Sequence, residues 1–349
     1  MIKYLSLFSG IGAFEKALQR LEIPYELVGY CEIDKYASKA YSLLHSVPES
    51  MNFGDITQLD ETQLPDDIDL ITYGFPCQDI SLAGQQKGLL NDDGTKTRSG
   101  LFFDALRIIE HTQPQIAIAE NVKNLTSQKF SEQFDTVLSS LENVGYNNYW
   151  KVLNAKDYEV PQNRERVFII SIRKDIDTGV FEFPDPVPLK KCLKDLLEDS
   201  VEEKYYVDPE RVKNLIPQLT EKQISNTVRG GVVLKPTVKG VNDMVEPVNP
   251  MPDGTCRTIK NQYYKTSQAN FERSTTFGAT GVQDGLAIRK LTPKECFRLM
   301  GFDDSDVDLL MQNGISNTQL YKMAGNSIVV NVLEFIFCQI FDDSNKIWV

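Results

Sequence analysis

Histidine is almost missing from this sequence: among 349 residues there are two, His45 and His111, and they stand in no cluster. Metal catalysis and a Ser-His-Asp triad are therefore poorly served. Cysteine is also sparse. The six residues Cys31, Cys77, Cys192, Cys256, Cys296 and Cys338 include no pair at zinc-ligand spacing, and a chain of this length buries a core without a disulfide framework. Most are expected to be reduced core residues. No run approaches the ~18 consecutive apolar residues of a membrane span, and the first residues lack the basic flank, apolar stretch and cleavage site of a signal peptide. The reading is a soluble, intracellular protein. Positive charge is scarce too, with 37 Lys and Arg against 49 Asp and Glu and a net charge of −12. That argues against a protein that coats nucleic acid through its overall field, and leaves room for a local basic face.

A composition of 41% hydrophobic and 25% charged residues is globular, and the length allows one large domain plus a smaller one. The first half alternates short apolar runs with helical patterns, the signature of an α/β fold whose largely parallel sheet is wrapped by helices. Strands are predicted at Tyr4 to Phe8, Leu27 to Cys31, Ile68 to Tyr73, Ile116 to Ala119 and Val167 to Ile172. Phe14, Ala17, Leu18 and Leu21 recur at helical spacing, as do Leu101, Phe102, Ala105, Leu106 and Ile109. Clustered prolines in Phe183-Pro184-Asp185-Pro186-Val187-Pro188 mark a linker. The expected division is a catalytic and cofactor-binding domain at 1–184, completed by 316–349, and a small target-recognition domain at 185–315. From Arg211 to Thr276 the sequence turns irregular and basic, with ten Lys and Arg against five acids. A helical pattern resumes at Leu291 to Met300, and Ser327 to Phe341 is apolar enough to pack into the first domain.

The chemistry is concentrated where predicted strands end. Tyr4 to Phe8 runs into Ser9-Gly10-Ile11-Gly12 and a helix, so glycines stand where a backbone turns tightly against a ligand or a neighbouring helix. Roughly 20 residues on, Cys31-Glu32-Ile33-Asp34 supplies acids suited equally to a ribose diol and to a helix N-cap. In Gly54-Asp55-Ile56 the aspartate suits an adenine amino group or a plain turn. Together these loops outline an adenosine site, and they fit a nicotinamide-dinucleotide enzyme nearly as well as a methyltransferase. In Gly74-Phe75-Pro76-Cys77-Gln78 a proline presents a cysteine at the end of a buried strand, in a polar loop unlike a core position. Ala119-Glu120-Asn121-Val122 ends another strand in an acid able to donate a proton if burial raises its pKa. Gln162-Asn163-Arg164-Glu165-Arg166 directs two arginines into a hydrophobic strand, where they suit a ligand or an acid better than solvent.

The ordered set of these segments, completed by Arg289-Lys290-Leu291-Thr292-Pro293-x-Glu295 and Gly325-Asn326-Ser327, resembles the cytosine-5 DNA methyltransferase family over nearly the whole chain. The stretch at about 185–288 falls where that family keeps its variable target-recognition region. The resemblance implies a Rossmann-like methyltransferase sheet, S-adenosyl-L-methionine as cofactor with S-adenosyl-L-homocysteine as product, and covalent attack on a flipped cytosine in double-stranded DNA. It assigns Cys77 as nucleophile and Glu120, Arg164 and Arg166 as its companions around the cytosine. Glu120 would stabilise N3, Arg166 would hold O2, and Arg164 would fix Glu120 or a phosphate. Phe8, Gly10, Gly12, Glu32, Ile33, Asp55, Ile56, Pro76, Leu101 and Asn326 fall on positions around the cofactor. Gln78 and Ser81, with Arg257, Lys260, Lys265 and Arg273 of the basic insert, are the candidate DNA contacts. The Ser81 to Gly100 loop, with Gly84, Gly88 and Gly94, is the candidate lid. Three departures bear on cofactor affinity: Ser6 stands where an acid is usual, Ala13 replaces a common glycine, and Ile33 replaces an aromatic. The same resemblance implies a cytoplasmic monomer, bacterial or phage-encoded, that acts alone or beside a cognate restriction endonuclease. The rival readings are a tRNA cytosine-5 methyltransferase, a catalytically silent DNA-binding protein and a nicotinamide-dinucleotide oxidoreductase.

Overall fold

A computed structural model describes residues 1–76, 88–91, 94–206, 245–248, 256–257, 281–284, 287–342 and 347–348. By packing the chain forms two units: Met1–Asn154, Glu165–Pro186 and Val330–Val349 in one, Ala155–Arg164 and Val187–Val329 in the other.

The first unit is built on a six-stranded sheet. Its strands are β1 (Ile2–Leu7), β2 (Tyr25–Cys31), β3 (Leu70–Tyr73), β4 (Ile116–Val122), β5 (Tyr146–Asn154) and β7 (Glu165–Arg173), with the dipeptide β6 (Gln162–Asn163) belonging to the second unit. The order is β2-β1-β3-β4-β7-β5. The first four strands of that order are parallel, and β7 runs antiparallel to β4 and β5. All four residues of β3 are buried, as are Ile116–Ala119 of β4, which is what strands covered on both faces by helices require. Crossovers run through α1 (Ala13–Arg20), α2 (Lys35–His45) and α3 (Phe102–Thr112), and α4 (Ser131–Asn143) precedes β5. Because β1 feeds β2 on one side and lies beside β3 on the other, strand order reverses between β1 and β3. A crevice at the carboxyl ends of these strands is the ligand position such sheets offer.

Residues of the second unit form the antiparallel sheet β11-β10-β8, made of β8 (Val245–Val248), β10 (Gly281–Asp284) and β11 (Ala287–Lys290), while β6 pairs with β9 (Cys256–Arg257). Helix α5 (Pro293–Arg298) starts from a capping box, with Thr292 Oγ1 accepting from Glu295 N and Glu295 Oε2 accepting from Thr292 N. Arg289 clamps the same carboxylate through two bonds of 2.8 Å in full burial. The Arg289 to Glu295 segment therefore fastens a strand to a helix start. Helices α6 (Asp304–Gln312) and α7 (Asn317–Asn326) follow, and α8 (Val330–Phe341) returns to the first unit.

The second unit takes 155–164 and 316–329, which the sequence reading places in the first. Packing supplies the reason: Gln162 Nε2 donates to Leu299 O, and Arg164 Nη2 donates to Gly325 O and Ser327 O. By length and composition 317–341 is apolar enough to cross a membrane, yet Ser327 to Val329 divide it into α7 and α8. Arg164 occupies carbonyls that a continuous helix would need.

Candidate active site

The turn after β1 spends its glycines on backbone that other residues adopt reluctantly. Phe8, Gly10 and Gly12 have φ of 54°, 58° and 78°, and Gly12 is the residue from which α1 starts. The two glycines serve different ends. A Cβ on Gly12 would stand 2.0 Å from His45 Nε2, whereas one on Gly10 would meet nothing within 4 Å. His45 Nε2 lies 3.0 Å from Ile11 O and Nδ1 lies 3.2 Å from Gln19 Nε2. The carbonyl must accept, which assigns the ring proton to Nε2. The turn is thus braced by an imidazole at Gly12 and opens outward at Gly10, leaving room for a ligand against bare backbone.

The acid after β2 is tied to that turn. Glu32 Oε2 accepts from Gly10 N at 3.0 Å and Oε1 accepts from Asp34 N at 2.7 Å. Burial pushes the Glu32 carboxyl above its ordinary range, against the lowering effect of these backbone N–H groups. Asp34 is the N-cap of α2, accepting from Tyr36 N and Ala37 N, so the capping alternative belongs to Asp34. Asn52 locks the next loop in place. Its Oδ1 accepts from Glu32 N and Gly54 N, and its Nδ2 donates to Glu32 O and Ser38 Oγ. Asp55 is exposed and caps a short 3-10 turn, Ile56–Gln58, through Thr57 N and Thr57 Oγ1. Ile56 is buried in the core, whereas Ile33 is 76% exposed beside Glu32, an apolar surface suited to the flat face of a base.

At the end of β3, Phe75 is buried, its ring packing against Tyr73 and Phe102. Phe75 O accepts from Asn121 Nδ2 at 3.1 Å, so the strand bearing Glu120 also fixes the backbone at Phe75-Pro76. Cys77, Gln78 and Ser81, and in the basic insert Lys260, Lys265 and Arg273, lie outside the described residues. So does the side chain of Arg257, whose backbone is in β9. Leu101, half-buried, stands at the N-cap of α3. Before it, Thr97 ties the described part of this loop together. Thr97 Oγ1 donates to Gly88 O and lies 3.0 Å from Leu89 O, Thr97 N donates to Leu89 O, and Lys96 pairs with Asp104.

Of the two expected arginines, Arg166 is the partner of Glu120. Val122 pairs with Arg166 across β4 and β7, and Glu120 pairs with Phe168, so Glu120 and Arg166 are diagonal neighbours on one face. Arg166 Nε stands 2.9 Å from Glu120 Oε1, with both side chains largely buried. Arg164 holds the carbonyls of Gly325 and Ser327, on either side of Asn326, within the second unit. The described site residues thus fall into two groups. Phe8, Gly10, Gly12, Glu32, Ile33, Asp55, Ile56, Pro76, Leu101, Glu120 and Arg166 belong to the first unit, while Arg164 and Asn326 belong to the second. His45, Asn52 and Asn121, which brace the backbone of these loops, carry no role in the sequence reading. Of these, the Asn52-x-Gly54 spacing and the place of Asn121 after Glu120 carried a signal. Among the described residues no group of three or more His, Cys, Asp or Glu is placed to hold a metal ion.

The model of the C-5 cytosine-specific DNA methylase family matches residues 2–342. Among curated relatives, the orphan methyltransferase M.SPRI of Bacillus phage SPR is 33% identical, covering 96% of this chain and 96% of its own. The type II methyltransferase M.HhaI of Haemophilus parahaemolyticus is 34% identical, covering 96% and 93%. Among solved structures, the S. pombe Dnmt2 methyltransferase superposes with a TM-score of 0.66 at 22% identity, covering 99% of this chain and 100% of that one.

Proposed function

The chain belongs to the C-5 cytosine-specific DNA methylase family and is a DNA cytosine-5 methyltransferase, and from that premise we propose how its own residues carry the reaction. The substrate is a cytosine flipped out of duplex DNA within a specific sequence, and Cys77 bonds to it covalently. The observation that carries the proposal is a junction at one sheet edge. Backbone open at Gly10 and a fixed Glu32 face a ligand site, and Glu120, oriented by Arg166, ends β4, the strand whose Asn121 holds the Phe75-Pro76 backbone.

S-adenosylmethionine, when bound, supplies a methyl group on a sulfonium and leaves as S-adenosylhomocysteine. The chain's residues provide the rest. Gly10 with Phe8 lets the backbone approach, Gly12 makes room for the bracing His45 ring, Glu32 accepts from a ribose diol, and Asp55 accepts from an adenine amino group. Ile33, Pro76 and Leu101 supply apolar walls, and the buried Ile56 anchors the Asp55 turn in the core. The Cys77 thiolate forms a bond to carbon 6 of cytosine, and the π pair moves to make carbon 5 nucleophilic. Glu120 shares its proton with N3, where charge develops, and Arg166 steadies both Glu120 and the cytosine O2. After carbon 5 is methylated, a base removes its proton, the pair restores the double bond, and the thiolate leaves.

Residues 185–315 are proposed to read the target, with Gln78, Ser81, Arg257, Lys260, Lys265 and Arg273 contacting DNA. The Ser81 to Gly100 loop closes over the flipped base. The enzyme acts as a monomer on cytoplasmic DNA. The type II relative fits a partner restriction endonuclease, and the orphan relative fits none.

The test traps the covalent step. Duplex DNA copied with 5-fluorocytosine in place of cytosine offers every sequence context, and its methylated adduct cannot lose F⁺. With S-adenosylmethionine it should give an adduct that survives denaturing electrophoresis and maps to Cys77, absent in Cys77→Ala and with ordinary cytosine. No adduct on bound DNA overturns the mechanism, and trapping of 5-fluorocytosine tRNA in its place transfers the activity to RNA.

A further inference from the structure

Helix α3 forms two walls of the proposed cofactor site, one directly and one at a distance. Leu101 stands at its N-terminus. Further along, Arg107 Nη1 donates to Leu59 O at 2.9 Å and Nη2 donates to Ile56 O at 3.1 Å, and its guanidinium also meets Glu61. Ile56 and Leu59 bracket the 3-10 turn whose N-cap is Asp55. A turn of three residues has little internal bonding to fix its orientation. A planar fork that binds two of its carbonyls at once fixes that orientation against the helix. Asp55 in turn is held to the turn by two bonds, both on Oδ1, from Thr57 N and Thr57 Oγ1. The direction in which its exposed carboxylate points is therefore set by Arg107.

We propose that Arg107 is a positioning residue for base recognition: it holds the Asp55–Ile56 turn so that the Asp55 carboxylate meets the amino group of an adenine. The proposal rests on the reading of Asp55 as an adenine contact. The Glu61 ion pair is a partly exposed one and contributes little by itself. The carbonyl bonds to Ile56 and Leu59 carry the effect.

The test compares two ligands on the full chain by calorimetry: S-adenosylhomocysteine and its hypoxanthine counterpart, which replaces the amino donor with an oxygen that Asp55 repels. Wild type should bind the adenine form, and bind it at least about 10-fold more tightly than the other, the cost of leaving a polar group unpaired. Arg107→Met keeps the apolar stem and removes both donors. It should weaken S-adenosylhomocysteine about 10-fold and collapse the preference towards unity. Arg107→Lys, able to reach one carbonyl, should fall between, and Glu61→Gln should match wild type. Should Arg107→Met fail to fold, Arg107→Lys decides. Either variant retaining the full base preference overturns the role of Arg107 while leaving the methyltransferase reading in place. A wild type that binds neither ligand overturns both.

Discussion

Gly12→Ala should harm this protein through a residue 33 positions away. Two costs add. Alanine in the left-handed backbone at φ 78° is strained by roughly 1–2 kcal/mol. Its Cβ would also lie 2.0 Å from His45 Nε2, so the imidazole must move and lose its bonds with Ile11 O and Gln19, at ~1 kcal/mol each. The expected loss is about 3–4 kcal/mol, read as a shift in urea midpoint by far-ultraviolet circular dichroism. His45→Ala alone forfeits the same bonds and leaves a void, about 2–4 kcal/mol. Once the ring is gone, adding Gly12→Ala costs only the backbone strain. The double variant should therefore be about 2 kcal/mol more stable than the sum of the single ones predicts, a coupling well above the ~0.5 kcal/mol scatter of independent sites. Additivity within that scatter would refute the clash. Gly10→Ala is the control, because its φ of 58° brings similar strain with no atom in the way. It should cost roughly 1–2 kcal/mol of stability while obstructing S-adenosylhomocysteine binding.

Glu120→Gln should retain the fold and DNA binding and lose roughly 10²-fold in the single-turnover rate of methyl transfer, the scale of a lost general acid; a rate close to wild type would return Glu120 to a structural partner of Arg166. Because burial raises the Glu32 carboxyl, the folded state holds that proton more tightly than the unfolded one, and Glu32 lowers stability as pH rises from its ordinary value through its raised one. Binding runs the opposite way, since the bonds from Gly10 N and Asp34 N, and the proposed acceptance from ribose, favour the carboxylate. Affinity for S-adenosylhomocysteine should thus fall as pH drops through the raised value of the Glu32 carboxyl, and Glu32→Gln should flatten the profile; a flat wild-type profile would exclude Glu32 from the site.

Strands β1, β3, β4 and β7 were readable because they lie inside the sheet and their apolar runs leave no alternation to misjudge, and the edge strand β2 was readable from its buried second half; each overlaps its predicted position. Strand β5 was not readable. Its Tyr-Asn-Asn-Tyr-Trp-Lys-Val-Leu-Asn sequence shows neither a continuous apolar run nor a clean alternation, and it forms by pairing with β7 at one edge of the sheet. Within the site, residues that would face a ligand carry a local signature: glycines at a turn, an acid at a strand end, an arginine entering a strand. Those that aim them carry none. Nothing around His45, Arg107 or Arg164 in sequence tells that each binds backbone carbonyls far along the chain, at Ile11, at Ile56 and Leu59, and at Gly325 and Ser327. These bonds go to backbone carbonyls, which every residue carries, and any sequence with a carbonyl at the right place would serve. The information lies in three-dimensional proximity. A substitution at His45 or Arg107 should consequently alter where a ligand-facing group points while leaving every recognisable motif intact.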